Sequence, residues 1–239
     1  MSPHIYFAIG DVHGENGKLA ALHDAILERI AFEKRPATIV HLGDYVDRGP
    51  DSRGVVERIT SLERRFAVGG DIEVVSLLGN HEQMMVDAYD APADVGIWWS
   101  QGGVESADSY AGGPGLAGAG WRETIPKAHI KWLRSLPSLL FDPERRLCFV
   151  HAGIDPNRFP NCPVMIRLWT RSERFFDHDH WPAREELENL LVVHGHTPVS
   201  FEPEAFHHRI NVDTGACFGG PLTAVMLKDG EAPEFLRAT

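Results

Sequence analysis

The chain's 239 residues, 43% hydrophobic and 24% charged, have the make-up of one ordinary globular domain with a substantial core, and no interdomain linker or repeat divides positions 1–239. A formal net charge of −11 argues against a nucleic-acid partner, whose footprint would be basic, while thirteen histidines invite a search for metal ligands. Cys148, Cys162 and Cys217 form no disulfide framework, and the opening MSPHIYFAIGDVHG has neither a basic leader nor a membrane-spanning run, so a soluble, cytoplasmic protein without a membrane partner is expected.

Residues 5–9 read as a short buried strand that GDVHG (10–14) breaks. Leu19, Leu22, Ile26 and Ile30 then recur at helical spacing over residues 16–31. A second strand, 38–42, runs into GDYVDRG (43–49). Val55, Val56, Ile59, Leu62 and Phe66 mark a second helix, with Pro50 near its start, where proline is tolerated. A third strand, 72–78, ends in GNHE (79–82), and residues 83–88 begin another helix. This βαβαβ order predicts a parallel sheet with right-handed crossovers, whose ligands bind beyond the carboxyl ends of the strands. Residues 90–137 hold four tryptophans, Trp98, Trp99, Trp121 and Trp132, and the low-complexity AGGPGLAGAG (111–120), and read as a helical insertion with a mobile loop. Strands resume at 147–150, 191–193, 209–212 and 222–227 with little helix between them, which predicts antiparallel pairing and a second sheet.

Five strand ends carry the chemistry: Asp11 and His13; Asp44, Asp47 and Arg48; Asn80, His81 and Glu82; His151; His194 and His196. Singly, each block is an ordinary turn or a hydrogen-bonded core residue. Jointly, they crowd carboxylates at one edge, and a pair of divalent cations would remove the repulsion. Aspartate, histidine and asparagine without cysteine suit manganese first, with iron or zinc as alternatives. The parsimonious assignment puts Asp11, His13 and Asp44 on one ion and Asp44, Asn80, His151 and His196 on the other, with Asp44 bridging. Asp51 fits a helix cap, Glu82 an orienting or capping group, and His194 the core. Residues 177–180 (DHDH) lie in a polar stretch away from the strand ends, and His41, His207 and His208 carry no signal.

GDVHG, GDYVDRG, GNHE, HAG (151–153) and GHTP (195–198) resemble, in order, the blocks of the phosphoprotein phosphatase family of calcineurin-like metallophosphoesterases. WWSQGGVESADSY (98–110), LWTR (168–171) and NVDTGACFGG (211–220) are similar to its bacterial and phage branch, which includes serine/threonine phosphatases and symmetrical dinucleoside tetraphosphatases. Two departures set the chain apart: Thr197-Pro198 follows His196 where the wider superfamily has a second histidine, and His151-Ala152-Gly153 replaces the HGG of eukaryotic enzymes.

The resemblance implies an α/β fold with a central β-sandwich of two mixed sheets flanked by helices. It also implies attack on phosphorus by a hydroxide bridging two metals. His81, oriented by Asp47, would protonate the leaving oxygen. Arg48 offers a fork for phosphate oxygens, and the resemblance selects Arg171 as its partner over Arg167 and Arg174. The expected substrate is phosphoserine or phosphothreonine in proteins. The alternative is a symmetrical dinucleoside tetraphosphate, whose adenine would stack on Trp98, Trp99 or Tyr110. A non-catalytic binding module ranks last, because every expected ligand is present.

Overall fold

The computed structural model describes residues 4–92, 95–118 and 120–239. The first part of the chain runs β1 (Ile5–Ile9), α1 (Asn16–Glu33), β2 (Ala37–His41), α2 (Ser52–Phe66), β3 (Ile72–Ser76) and α3 (Asn80–Asp90). The helical segment comes next as α4 (Val95–Trp98), α5 (Val104–Ala111), α6 (Trp121–Thr124) and α7 (Lys127–Ser135). The remainder is β4 (Leu139–Asp142), β5 (Leu147–Val150), α8 (Val164–Trp169), α9 (Glu173–Phe176), β6 (Leu191–His194), β7 (Glu204–Ala205), β8 (Arg209–Asn211), β9 (Leu222–Lys228) and β10 (Glu234–Ala238).

Two five-stranded mixed sheets form, in the orders β10-β9-β1-β2-β3 and β4-β5-β6-β8-β7. Side-chain alternation on each strand explains the layering. In β1, Ile5, Phe7 and Ile9 pack against the helices, whereas Ala8 faces the second sheet. In β5, Phe149 faces the first sheet, whereas Cys148 and Val150 enter an outer cluster with Phe159, Phe175 and Leu187. Helices thus cover the first sheet, an apolar seam joins the sheets, and α9 with short turns covers the second. Among the described residues no helix is long and apolar enough to cross a membrane.

The parallel β1-β2-β3 half matches the sequence expectation. The second sheet corrects it, because β5-β6 and β6-β8 pair in parallel. The 40 residues between β5 and β6 make the crossover out of short helices and turns, so no long helical period announces it. Helix α3 starts at Asn80, ahead of the expected 83, because the Glu82 carboxylate accepts the Gly79 amide at 3.0 Å and so satisfies the backbone donor at the helix start. Asp51 caps α2 as expected, accepting the Gly54 amide at 2.8 Å. Residue 119 of the glycine-rich stretch lies outside the described residues. Nearby, the Gly115 and Ala117 amides donate to the Asp108 carboxylate at 2.7 and 2.8 Å, so this part is tied to α5.

Candidate metal centre

All five polar clusters lie just past strand ends, and both sheets contribute. Asp11 and His13 follow β1, Asp44 to Arg48 follow β2, Asn80 and His81 open α3, His151 follows β5 and His196 follows β6. Five of the eight non-glycine residues with positive φ among the described residues are here: His13, Asp44, Asp47, Arg48 and His196. Such a concentration of sparsely populated backbone conformations needs surrounding structure to hold it. Gly49 shows how tight the fit is, since a Cβ there would stand 2.0 Å from the His13 carbonyl oxygen.

Glu82 provides much of that support. Its carboxylate accepts the amides of Asp44 and Tyr45, both at 2.7 Å, and of Val46 at 3.2 Å. One buried side chain therefore fixes the whole turn after β2. The expected orienting and capping roles of Glu82 are both present.

Asp44 lies at the middle of the cluster. Its Oδ2 is 3.4 Å from His13 Nε2 and 3.9 Å from His81 Nε2, and its Oδ1 is 3.4 Å from His151 Nε2. His151 Nε2 also lies 2.8 Å from Asn80 Oδ1 and 3.1 Å from His196 Nδ1. Burial opposes ionisation of Asp44, but the imidazoles of His151, His81 and His13 more than offset it and hold the carboxyl well below its usual range. Burial pushes His151 below the ordinary histidine value, and burial together with His151 takes His196 down to about 3. Both shifts favour the neutral imidazole, the form that metal ligation requires.

The donor set fits divalent cations. His13 Nδ1 donates to the Val46 carbonyl at 2.8 Å and His151 Nδ1 to the Leu42 carbonyl at 3.1 Å. Those bonds leave each Nε2 as a bare lone pair turned inward. His151 Nε2 then faces the oxygens of Asn80 and Asp44, acceptor against acceptor. On the other side the Arg48 guanidinium supplies the positive charge, donating to His13 Nε2 at 2.7 Å and His81 Nε2 at 2.9 Å. Two groups of ligand atoms converge, His13 with Asp44 and His81, and Asp44 with His151 and His196. Both contain Asp44.

Asp11 lies at the His196 side of the cluster. Its two oxygens each accept the His196 amide at 3.1 Å, and it does not join the His13 group, where His81 stands instead. Burial, Asp213 and Asp44 together push its carboxyl well above the usual range, and the His196 amide opposes that shift. Asp213 went unnoticed in the sequence, although it follows β8 and obeys the same strand-end rule.

Asp47 neither pairs with Arg48 nor caps a helix. Its Oδ2 accepts His81 Nδ1 at 2.7 Å, and the carboxylate also accepts Trp98 Nε1 at 2.9 and 3.0 Å and Ser106 Oγ at 2.7 Å. Trp98 is thus 1% exposed and Tyr110 is buried, which removes both as base-stacking rings. The turn Trp99–Gly103, kinked at Gly102 where φ is 102°, joins the helices that carry Trp98 and Ser106, and the Arg48 amide donates to Gly102 O at 3.1 Å.

Arg171 is exposed, and its charge is felt at His196. Arg167 is committed elsewhere, donating to Ser138 Oγ at 3.0 Å and Pro160 O at 3.1 Å. Two aromatic neighbours were missed: Trp169, whose ring lies 6.2 Å from that of His196, and Phe218, which carries the Arg48 guanidinium at 5.5 Å. His194 is in the core, its ring against Phe175.

Comparison with known proteins agrees with this geometry. The chain is 27% identical over 242 residues to a symmetrical bis(5'-nucleosyl)-tetraphosphatase of Pectobacterium atrosepticum, covering 97% of this chain and 73% of that one. It is 24% identical to the asymmetrical bis(5'-nucleosyl)-tetraphosphatase PrpE of Anoxybacillus flavithermus, over 95% and 92% of the two chains. A solved structure described as a candidate diadenosine tetraphosphatase superposes with a TM-score of 0.64 at 20% identity, over 100% of this chain and 99% of that one. The calcineurin-like phosphoesterase family model matches residues 6–227, so the strand-end carboxylates and imidazoles belong to a member of the calcineurin-like phosphoesterase family.

Proposed function

We propose that the protein hydrolyses a phosphoanhydride bond of dinucleoside polyphosphates at a two-metal centre. The observation that carries the reading is Asp44, buried and shared by both convergent ligand groups. The substrate class draws on the relatives, two of which are named for this activity. That support favours the dinucleotide over the phosphoserine or phosphothreonine substrate expected from the sequence blocks.

In this reading Asp11, His13 and Asp44 hold one ion, and Asp44, Asn80, His151 and His196 hold the other. Manganese, iron or zinc suits the oxygen and nitrogen donors. When bound, such a pair lowers the pKa of water and polarises phosphoryl oxygens. Arg48 swings from His13 and His81 onto the phosphate chain, and Arg171 meets it from the His196 side. His81 Nε2 gives its proton to the leaving oxygen, while Asp47, held by Trp98 and Ser106, fixes the ring.

The test is a side-by-side measurement on protein reconstituted with manganese, iron or zinc. Substrates are diadenosine tetraphosphate, a phosphoserine peptide and a small aryl phosphate. A kcat/KM at least about tenfold higher on the dinucleotide supports the reading. Preference for the phosphopeptide overturns it in favour of the protein-phosphatase alternative.

A further inference from the structure

We infer that Trp169 and Phe218 are two nucleobase platforms, one beside each ligand group of the metal centre, an inference that rests on the dinucleoside polyphosphate reading. Both rings are large, apolar and open to solvent, at 39% and 60% exposure. Both are also held by fixed backbone, so their exposure is a built feature.

Phe218 ends a 3₁₀ turn, Ala216–Phe218, bounded by Gly215 at φ 67° and Gly219 at φ 93°. Lys18 Nζ, from α1, donates to the carbonyls of Ala216 at 2.9 Å and Gly220 at 2.8 Å and pins the turn from below. The Gly215 amide donates to Asp213 Oδ1 at 3.1 Å and ties the same turn to the strand end. Trp169 is the last residue of α8, and the Ala152 amide donates to the Arg167 carbonyl at 2.8 Å, which binds that helix to the loop carrying His151. An exposed aromatic on a rigid support has little conformational freedom left to lose when a flat ligand covers it.

The surroundings select the ligand. The Arg48 guanidinium lies against Phe218, and Arg171 follows Trp169 by two residues in the chain. Arg48 also touches His13 and His81, whereas Trp169 meets the ring of His196 edge-on at 80°. The order along the surface is therefore Phe218, Arg48, the two ligand groups and Trp169. A base, a phosphate chain and a second base would fit that order. Stacking accepts any base, because every base offers a π-face, so tolerance for adenine or guanine is expected.

The test measures Trp169→Ala and Phe218→Ala on diadenosine tetraphosphate and on inorganic tripolyphosphate, which has the same anhydride bond and no base. The ratio of kcat/KM on the dinucleotide to that on tripolyphosphate should fall about 5- to 150-fold in each variant. Metal content should stay unchanged, and Trp169→Phe and Phe218→Tyr should recover most of the ratio. An unchanged ratio, or equal losses on both substrates, overturns the inference. Calorimetric titration with adenosine monophosphate and inorganic phosphate gives an answer even if the dinucleotide proves not to be cleaved. Wild-type protein should bind the nucleotide more tightly than phosphate, and each alanine variant should lose that advantage. Equal affinities in the wild type overturn the platforms, whereas a retained nucleotide preference without cleavage overturns only the reaction assignment.

Discussion

Apart from the buried His23–His41 pair, histidines gather in two places among the described residues, and by ring spacing the two are hard to tell apart. At the strand ends, His13 and His81 lie 4.6 Å apart between centroids, and His151 and His196 lie 5.0 Å apart. On the coat of the second sheet, His178, His207 and His208 lie 4.4 to 4.9 Å from one another. The difference lies in where the lone pairs point. At the strand ends, backbone carbonyls or Asp47 fix Nδ1 of His13, His151 and His81, and their Nε2 atoms turn towards Asp44. On the coat, His208 Nε2 donates to the Phe176 carbonyl while its Nδ1 has no partner, and His180 pairs with the Asp177 carboxylate at 3.2 Å. Among the described residues no third convergent group of ligand atoms forms there. Ring proximity alone does not make a metal centre; convergence on a buried carboxylate does.

Asp44→Asn is the most direct attempt to break this contrast. Removing the shared charge should lower metal content measured by elemental analysis and cut hydrolysis by about 10³-fold or more. Chelation of the wild-type protein should do the same, reversibly. An active, fully loaded variant would show that Asp44 is not the shared ligand. His81→Asn should lower turnover by ~10²–10⁴-fold while metal content holds, as fits a proton donor. Loss of metal in that variant would instead place His81 among the ligands, where its convergence with His13 and Asp44 allows it.

Trp98→Phe tests support at one remove. It keeps the packing but deletes the N–H that Asp47 accepts, and activity or metal affinity should fall by ~10–100-fold. An unchanged variant would mean that Ser106 and His81 hold Asp47 without help. The smallest effect belongs to the coat. His178→Ala and His207→Ala should leave metal content and turnover unaltered and shift stability by no more than about 0.5 kcal/mol in thermal unfolding, as for ordinary exposed positions. Lost metal there would erase the distinction between the two clusters.

The ends of the first three strands were legible because short buried runs stop at glycine, and the residues just past each stop are too rich in carboxylate, imidazole and guanidinium for a plain turn. The same rule exposed His151 and His196. Asp213 also follows a strand, β8, but nothing in the sequence singled it out. The second sheet was harder, since β4 and β7 are short and at most half buried and the parallel crossover from β5 to β6 has no helical period. Trp98 packs in the core, as at least one of the tryptophans was expected to, but only tertiary packing shows that its N–H is needed by Asp47. Strand-end position singled out Asp11, but not that it accepts the His196 amide from the other sheet.

Asp44 comes from one sheet, whereas His151 and His196 come from the other. An ion gripping all three would act as a rivet through the sandwich, fastening layers that otherwise meet chiefly through apolar contacts. Loading should then toughen the whole molecule, by about 2.7 kcal/mol when free ion is a hundredfold above its dissociation constant. Protein stripped of its ions should be both idle and easier to melt, so handling in chelating buffers would cost durability as well as turnover.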